Sequence, residues 1–435
     1  MRNLRWFVMT VWFILGIVCY IDRMNIAVSS VPLMNDLHIN ATQFGYAVSA
    51  FTLGYFIFSI PTGVIMDKWG IKKTTILFTL GWGVFSILSG AVWALLPLII
   101  FRFIFGMSET VLGPSLTGLN KNWMLPSERG RISGLFIASL MIGTVIGAPL
   151  NAAVVSVWNW RGAFYVTGII SFFVALLFYL FIKDRPNQHR WMTSKELDLI
   201  NKEQQKDNEL LESFSNNKPS SVSLAMIFKN KTIWLTGIGL FLINFLYWAD
   251  LQWLPSYFSL VRHTSVMASG IYTALPFLAA AFGSYVSGEL TDRIFKKMRI
   301  PVIVIGAVLA APCAIWAMMS ESITGSVTAF MLMAFFNGWA IAQTYTLPME
   351  IFPDLKERAP TISAFYITCN SLAGILAPLV IGPIYDATKS FSAAFYIFGA
   401  LNVIGGLLYL TAYKKEKKFK RTGHFINKGE LTRDI

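Results

Sequence analysis

Residues 63–73 read GVIMDKWGIKK, and residues 288–297 repeat the pattern as GELTDRIFKK. Both copies place a glycine four positions before an aspartate, follow the aspartate with a basic residue and end on two lysines. The two glycines are 225 positions apart, as are the two aspartates, and Pro149 and Pro378 are 229 positions apart. Several matches at nearly one offset indicate that the chain consists of two duplicated halves.

Long apolar runs flank both copies of this loop. Of the 435 residues, 55% are hydrophobic, 15% are aromatic and only 14% are charged, which exceeds what one soluble core would bury. A membrane-spanning helix needs roughly 20 apolar residues, and we count twelve such runs. They begin near Trp6, Gln43, Thr75, Pro97, Ile132, Gly162, Thr232, Met267, Pro301, Thr324, Thr361 and Phe391. We therefore predict an all-α, polytopic membrane protein with twelve transmembrane helices.

A polar stretch interrupts the apolar pattern halfway along the chain. Residues 183–231 are rich in Lys, Glu, Asp, Asn, Gln and Ser, which is typical of a helical or partly disordered linker. Six spans lie on each side of it. The sequence thus predicts a six-helix bundle over residues 1–182, a cytoplasmic linker over 183–231, a second six-helix bundle over 232–412 and a basic tail over 413–435.

The basic residues predict the orientation of the chain in the membrane. Of the 36 Lys and Arg residues, only Arg161, Arg262 and Lys389 fall on the side opposite the termini, and Arg23 and Arg102 lie within helices. Basic residues accumulate on the cytoplasmic side, so both termini are predicted to be cytoplasmic, in the cell membrane.

The same rule accounts for the net charge of +13, which in a soluble protein would suggest nucleic acid. We instead expect the tail around Lys414–Arg421 to lie near anionic lipid headgroups, and we expect no nucleic-acid partner.

Enzymatic chemistry finds little support in the sequence. The three cysteines lack paired spacing, the four histidines fall in loops or the tail, and the motifs of zinc proteases, serine hydrolases and phosphate-binding loops are missing. We expect no metal, no cofactor and no catalytic residues, and transport energy from an ion gradient.

Four charged residues lie at bilayer depth, where a charge costs about 2.5–3.5 kcal/mol and usually faces a partner or a watery cavity. Asp22 and Arg23 are adjacent in the first span, and Arg102 and Glu109 share the fourth. Seven residues in a helix separate Arg102 from Glu109 by about 10 Å on nearly one face. Either these charges line a cavity, or they only pair to hold helices 1 and 4 together.

The chemistry of these groups suggests separate roles. Arg23 is always protonated and offers a planar fork, so it is the candidate for gripping a substrate carboxylate, with Arg102 beside it. Desolvation favours the protonated form of a carboxyl and a nearby guanidinium favours the charged form. We therefore predict Asp22 and Glu109 as proton-coupling groups.

The loop after helix 2 resembles the signature of the major facilitator superfamily. More specifically, Tyr20-Ile-Asp-Arg23 and Arg102-Phe-Ile-Phe-Gly-Met-Ser-Glu109 resemble the anion:cation symporters, which include hexuronate, aldonate and aldarate permeases and sialin-type carriers. The resemblance implies two six-helix bundles that rock around a substrate near the bilayer midplane.

The resemblance also implies a gating role for the repeated loop. The gating candidates are Gly63, Asp67, Lys68, Gly70, Lys72, Asp292 and Arg293. The alternative is a charged tight turn that holds the loop in the cytoplasm. The second copy lacks the glycine that follows the basic residue in the first.

Polar side chains elsewhere in the spans are candidates for hydrogen bonds to substrate hydroxyls or for bonds between helices. They are Tyr55, Gln252, Asn337, Gln343, Thr368 and Asn370. The resemblance favours Tyr55 and Asn370 as substrate contacts. Asp250 in helix 7 either faces a cavity or lies near the outer surface.

Together these features predict a monomeric carrier that imports a small organic anion with protons, and the resemblance implies a sugar acid. The alternatives are a symporter for another carboxylate, such as an aromatic acid, and an organophosphate exchanger. The exchanger would be expected to carry a basic residue in helix 7, but no Lys or Arg lies between Lys231 and Arg262. A sensor without transport activity would be expected to dispense with the charges in helices 1 and 4.

Overall fold

The computed structural model describes residues 3–215, 229–295, 298–345, 347, 351 and 359–417. Lys296 and Lys297 of the second loop, the linker residues 216–228 and the tail residues 418–435 lie outside the described part. Within that part every regular element is helical.

The described residues of the first half of the chain form eight α-helices. They are α1 (Leu4–Asp36), α2 (Ala41–Trp69), α3 (Ile71–Gly90), α4 (Leu95–Glu109), α5 (Leu112–Trp123), α6 (Arg129–Val157), α7 (Trp160–Phe181) and α8 (Ser194–Ser215). Short 3₁₀ turns at Pro126–Glu128 and Pro186–Gln188 precede α6 and α8.

The described residues of the second half form six further α-helices. They are α9 (Lys231–Leu260), α10 (Val266–Arg293), α11 (Ile300–Met319), α12 (Ile323–Thr344), α13 (Ala359–Thr388) and α14 (Ser392–Leu408), the last followed by a 3₁₀ turn at Tyr409–Ala412.

In the part of the chain that the structure describes, twelve segments are long and apolar enough to cross a membrane, which confirms the predicted number of spans. Each predicted start falls within about one helical turn of an observed helix start. One span differs from the expected single helix, because α4 and α5 together form Leu95–Trp123 with a break after Glu109. α8 lies in the predicted linker and is not among the candidate spans.

The chain divides into two compact units. The N-terminal unit comprises the first 221 positions together with Thr264–Ala274, and the C-terminal unit comprises positions 222–263 and those from Leu275 onward. The first residues of α10 belong to the N-terminal unit, and the rest of that helix belongs to the C-terminal unit. The two units are therefore not separated by a single cut in the linker.

In the N-terminal unit, α1 packs against α6 and α7, α3 packs against α7, and α2 packs against α4. Its apolar core includes the fully buried rings of Trp12, Trp82 and Trp123. Trp12 and Trp82 each donate their indole N–H to a serine of a neighbouring helix, Ser115 and Ser171. Such bonds satisfy the polar atom of a large ring, so that the ring can fill the core.

Glycines allow α2 and α4 to approach until their backbones touch. A methyl group on Gly106 would collide with the backbone carbonyl of Phe51, and one on Gly54 would collide with that of Phe103. The close approach of these helices fixes the position of Arg102 and Glu109 on α4 relative to the aromatic residues of α2.

In the N-terminal unit, side-chain carboxylates cap the starts of α1 and α3. Glu196 of α8 accepts hydrogen bonds from the backbone N–H groups of Leu4 and Arg5 and pairs with the Arg5 guanidinium. Asp184 accepts from the backbone N–H of Lys72 in the first turn of α3. Free N–H groups and the positive end of the helix dipole favour anions at these positions.

In the C-terminal unit, α9 packs against α13 and α14, and α11 packs against α12 and α14. Glu416 accepts hydrogen bonds from the backbone N–H groups of Arg299 and Ile300 at the start of α11. Ile71 and Ile300, the first residues of α3 and α11, are 229 positions apart, which is the offset of the duplication. The two halves thus cap equivalent helices with a carboxylate from the segment after their sixth span.

Candidate functional site

An ion pair joins α1 to α4 inside the N-terminal unit. Arg23 Nε lies 2.7 Å from Glu109 Oε2, and the side chains are 9% and 0% exposed. Among the described residues, Glu109 Oε1 has no hydrogen-bond partner. Two charges that the sequence placed on different helices therefore meet, and each retains capacity for a further hydrogen bond.

Aromatic rings enclose the guanidinium of Arg23. Its Cζ atom lies 4.7 Å from the ring centre of Tyr20, 5.3 Å from that of Phe51 and 5.1 Å from that of Tyr55. Arg23 Nη1 also donates to the Tyr20 hydroxyl at 3.3 Å. Stacking on rings stabilises a cation without using its N–H donors, so the N–H groups of Arg23 that do not bond to Tyr20 or Glu109 stay available for an acceptor.

Arg102 occupies the same neighbourhood without an ion pair to any residue that the structure describes. Its Cζ atom lies 4.9 Å from the centre of the Phe51 ring and 4.8 Å from that of Phe105. The residue is 2% exposed, and its Nε atom lacks a hydrogen-bond partner in the described part of the chain. A buried guanidinium with an unsatisfied donor is costly, which favours a ligand with acceptor oxygens.

Asp22 points to the interior of the unit and belongs to a polar network rather than to an ion pair. Its Oδ1 atom accepts a hydrogen bond from Ser86 Oγ of α3 at 3.0 Å. Ser86 in turn lies 3.2 Å from Thr167 Oγ1 of α7, which accepts from Asn25 Nδ2 at 3.0 Å. Asp22 is 1% exposed, and its Oδ2 atom has no partner among the described residues.

The fourth span is interrupted after Glu109, between α4 and α5. Thr110 Oγ1 bonds to the carbonyl of Met107 at 2.6 Å and lies 2.5 Å from Thr62 Oγ1 of α2. α4 remains continuous from Arg102 to Glu109, so these two residues do lie two turns apart on one helix, as the spacing predicts.

The C-terminal unit contains the other two predicted substrate contacts. Asn370 Oδ1 and its backbone carbonyl both accept from Trp248 Nε1 at 3.1 Å. Gln252 on α9 is 6% exposed, and its Oε1 atom has no partner among the described residues. Asn370 thus takes part in a bond between α13 and α9, while Gln252 keeps an unsatisfied acceptor.

The remaining polar candidates also include side chains that bond within the protein and side chains that keep an unpaired oxygen. Gln343 uses both ends of its amide, accepting from Arg299 Nη1 at 2.6 Å and donating to Ser287 at 3.0 Å. Thr368 donates to the carbonyl of Ala364 in its own helix. Asn337 and Asp250 are both 4% exposed with an oxygen unpaired in the described residues. Asp250 is therefore buried within the protein, and its role stays a prediction.

The gating candidates lie at the ends of α2 and α10. Gly70 has a φ of +86°, which favours glycine, and it connects α2 directly to α3. Asp67 and Lys68 are exposed, and Gly63 has open space on its Cα. Lys72 donates its amine to the carbonyl of Tyr179.

In the second copy of the loop, Asp292 and Arg293 are exposed. Arg293 pairs with Glu289 one turn earlier, at 2.7 Å. The gating role of both loops stays a prediction.

Three members of the Asp22 network were not anticipated from the sequence: Asn25, Ser86 and Thr167. Serine and threonine are frequent in membrane helices, and most of them bond to their own backbone, so composition does not single out these positions. Only the crossing of α1, α3 and α7 brings them to one carboxylate. Among the described residues, no group of three or more His, Cys, Asp and Glu side chains is placed to bind a metal.

Twelve apolar helices in two duplicated halves, with buried paired charges, define a membrane transporter. The pattern of the Major Facilitator Superfamily matches residues 12–378 and 327–431, and the chain belongs to this superfamily. It is a multi-pass membrane transporter and not an enzyme.

Transporters of named substrates are similar along nearly the whole chain. The "Probable sulfoacetate transporter" of Cupriavidus necator is 30% identical over 409 residues, covering 91% of this chain and 92% of the relative. The hexuronate transporter of Bacillus subtilis is 27% identical and covers 91% of both. The "Probable L-galactonate transporter" of Escherichia coli is 27% identical, with 92% and 88% covered.

Solved structures show the same fold at low identity. A bacterial homologue of the human lysosomal transporter Spinster, inward-facing and unoccupied, aligns with a TM-score of 0.75 at 17% identity, covering 97% of this chain and 98% of that one. A D-xylose–proton symporter aligns with a TM-score of 0.70 at 14% identity, covering 92% and 96%.

Proposed function

We propose that this transporter imports a small organic anion together with protons by alternating access, and that the anion is a sugar acid such as a hexuronate, an aldonate or an aldarate. The observation that carries the proposal is the buried pair of Arg23 and Glu109, at 2.7 Å. In this pair the carboxylate of Glu109 binds the guanidinium of Arg23, which is also suited to a carboxylate of the substrate.

Proton and anion binding favour each other in such an arrangement. Protonation of Glu109 removes the internal partner of Arg23, and a buried guanidinium without an anion is unfavourable. A substrate carboxylate then replaces Glu109 at Arg23. Conversely, release of the anion restores the pair and expels the proton. This exchange couples the two ligands through one cation.

The charges of the site set the balance between substrate and protons. Asp22, Arg23, Arg102 and Glu109 are neutral as a group when all four are ionised. Each proton taken up by a carboxyl leaves one positive charge in excess, which one negative charge of the substrate compensates. Because an uncompensated charge is costly at low dielectric, the site favours one proton for each negative charge of the substrate.

The substrates of similar transporters support the substrate class. Hexuronate and L-galactonate are sugar acids, and the relatives that carry these names cover most of this chain. The similarity to the sulfoacetate relative favours a second candidate, a short carboxylate with a sulfonate group. Both candidates offer a carboxylate to Arg23, and two guanidinium groups in one region suit a second acidic group.

A transport assay with Glu109→Gln tests the coupling. In proteoliposomes we expect this variant to lose uptake driven by a pH gradient and to retain substrate exchange across the membrane, because Gln cannot release a proton. Glu203→Gln, at a partly exposed position of α8 that pairs with Lys206, is the control and should keep both activities. Unchanged concentrative uptake by Glu109→Gln would reject Glu109 as the coupling group.

A ligand screen tests the substrate class. A ligand that binds only the native protein stabilises it by about 2.7 kcal/mol at a hundredfold excess over its dissociation constant. We expect hexuronates, aldonates or aldarates to raise the melting temperature of the purified protein more than aromatic acids or sugar phosphates do. A larger shift with sulfoacetate would favour the second candidate, and shifts confined to sugar phosphates would contradict both.

The proposal extends to the surroundings of the protein. The distribution of basic residues supports cytoplasmic termini in the cell membrane, with the basic tail near anionic lipid headgroups. We propose that the carrier works as a monomer, since the ion pair and the Asp22 network are complete within one unit of a single chain.

A further inference from the structure

Ser86 on α3 is the donor that the structure assigns to Asp22. The residue is 1% exposed and lies where α3 packs against α7, within hydrogen-bond distance of Asp22 on α1. Its hydroxyl oxygen is close to three acceptors: Asp22 Oδ1 at 3.0 Å, the backbone carbonyl of Phe164 at 3.2 Å and Thr167 Oγ1 at 3.2 Å. The first belongs to α1, and the other two belong to α7.

A hydroxyl has a single proton and can donate to one acceptor at a time. Thr167 is the least favourable of the three acceptors for the Ser86 proton. Its hydroxyl oxygen already accepts from Asn25 Nδ2, and its own hydroxyl lies 3.1 Å from the carbonyl of Ala163. The choice for Ser86 is therefore between the Asp22 carboxylate and the Phe164 carbonyl.

The charge state of Asp22 decides this choice. Hydrogen bonds to an ionised carboxylate are shorter and stronger than those to a neutral carbonyl, so ionised Asp22 attracts the Ser86 proton. Once Asp22 is protonated, it becomes a donor, and Ser86 can accept that proton while it donates its own to Phe164. Both states of Asp22 then keep a hydrogen bond in a site closed to water.

Ser86 gives Asp22 a side-chain hydrogen bond of 3.0 Å, and the hydroxyl of Thr167 lies close enough to add to the hydrogen bonding of the same carboxyl group. The Oδ2 atom of Asp22 has no partner among the described residues. The charged groups that act on Asp22 are Glu109 and Arg102 of α4, and Arg23 is its neighbour on α1. α2, α3, α6 and α7 have charged residues only near their ends, far from the depth of Asp22. Removal of the Ser86 hydroxyl would therefore act on Asp22 without removing a charge.

We propose that Ser86 is a positioning residue for proton transfer, which sets the pH at which Asp22 exchanges its proton. Because Ser86 bonds either to Asp22 on α1 or to the Phe164 carbonyl on α7, it also links the protonation of Asp22 to a hydrogen bond on α7. This inference rests on the proposed function, in which Asp22 takes up a proton during transport. Ser86 need not touch the substrate for this role.

Ser89 provides a matched control on the same helix. It is also fully buried, one turn further along α3, but its hydroxyl bonds to the carbonyl of Phe85 in its own helix. Ser86→Ala and Ser89→Ala thus remove the same atom at equal burial, and only the first removes a donor from Asp22.

The experiment compares uptake by proteoliposomes over a range of external pH. Loss of the donor disfavours the charged form of Asp22, so Ser86→Ala should move the pH of half-maximal uptake upward by about one to two units. Ser89→Ala should keep the wild-type profile. Substrate exchange at saturating proton concentration should keep its KM within about twofold in both variants.

Ser86→Cys preserves most of the side-chain volume but has a weaker donor, so it should shift the pH of half-maximal uptake less and in the same direction. This variant tests the proposal if Ser86→Ala does not fold. In an Asp22→Asn background, Ser86→Ala should cause no further change in the pH profile of exchange. Equal profiles for the Ser86 and Ser89 variants, with wild-type uptake still dependent on pH, would overturn the role of Ser86 alone. Wild-type uptake independent of pH would overturn the proposed coupling and this inference with it.

Discussion

At the scale of single residues, the site depends on how two buried guanidinium groups are satisfied. Arg23 has a carboxylate partner and three aromatic rings, whereas Arg102 has rings but no ion pair among the described residues. The two groups share the ring of Phe51. We interpret Arg23 as the group whose partner changes during transport and Arg102 as a fixed positive charge that holds an anion nearby.

The fork of Arg23 can be tested by changing its shape and keeping its charge. In Arg23→Lys the ammonium is a point charge that cannot bind a carboxylate through two parallel bonds. We expect the KM for uptake to rise about tenfold, equivalent to about 1.4 kcal/mol of binding free energy. Arg131→Lys, an exposed residue stacked on Trp6, is the control and should leave the KM unchanged. A wild-type KM for Arg23→Lys would show that charge alone suffices.

At the scale of helices, the contact between α2 and α4 determines where the charges lie. Phe51 on α2 contacts both guanidinium groups, and its backbone touches α4 at Gly106. The glycine at position 106 is part of the segment that resembles the anion:cation symporters, and the structure gives a physical reason for it. A larger residue there would separate the ring of Phe51 from Arg102.

Gly106→Ala tests this contact. The added methyl group would collide with the carbonyl of Phe51, so the helices must move apart at a cost of about 1–3 kcal/mol. We expect a lower melting temperature, compared at one scan rate because membrane proteins often unfold irreversibly, and reduced uptake.

Gly113→Ala, on α5, is the matched control for this change. A methyl group on Gly113 would meet no atom within 4 Å, so its melting temperature should not fall. If the Gly106 and Gly113 variants melted alike, the close approach of α2 and α4 would not matter for stability.

At the scale of the whole molecule, duplication preserves the scaffold and not the site. The carboxylate caps at the starts of α3 and α11 recur at equivalent positions in the two halves, with Asp184 in the first and Glu416 in the second. The ion pair of Arg23 and Glu109 and the network around Asp22 lie in the N-terminal unit. The C-terminal unit has the buried Asp250 on α9, for which the described residues show no ion pair. The halves therefore share helix packing but differ in chemistry.

The predicted orientation can be tested with reporters fused to the C-terminus. A fluorescent protein that folds in the cytoplasm should be bright, and alkaline phosphatase, which is active only outside the cytoplasm, should be inactive. A fusion of each reporter after Arg161, which is predicted to lie outside, should give the opposite pair of results. An active C-terminal phosphatase would contradict the orientation derived from the Lys and Arg distribution.

The sequence by itself determined the class of fold, the twelve spans, the duplication and the four charges of the site. The reason is that a bilayer permits few structures for a long apolar segment and few locations for a charge. It also placed Arg102 and Glu109 on one helix, since that distance depends only on helical rise. The partners of these groups depended on the tertiary structure. The pairing of Arg23 with Glu109 and the contact of Asp22 with Ser86 arise where different helices meet, and so does the lack of an ion pair between Arg102 and any described carboxylate. Those crossings depend on the packing of backbones at Gly54 and Gly106 and of buried rings, which no local pattern along the chain encodes.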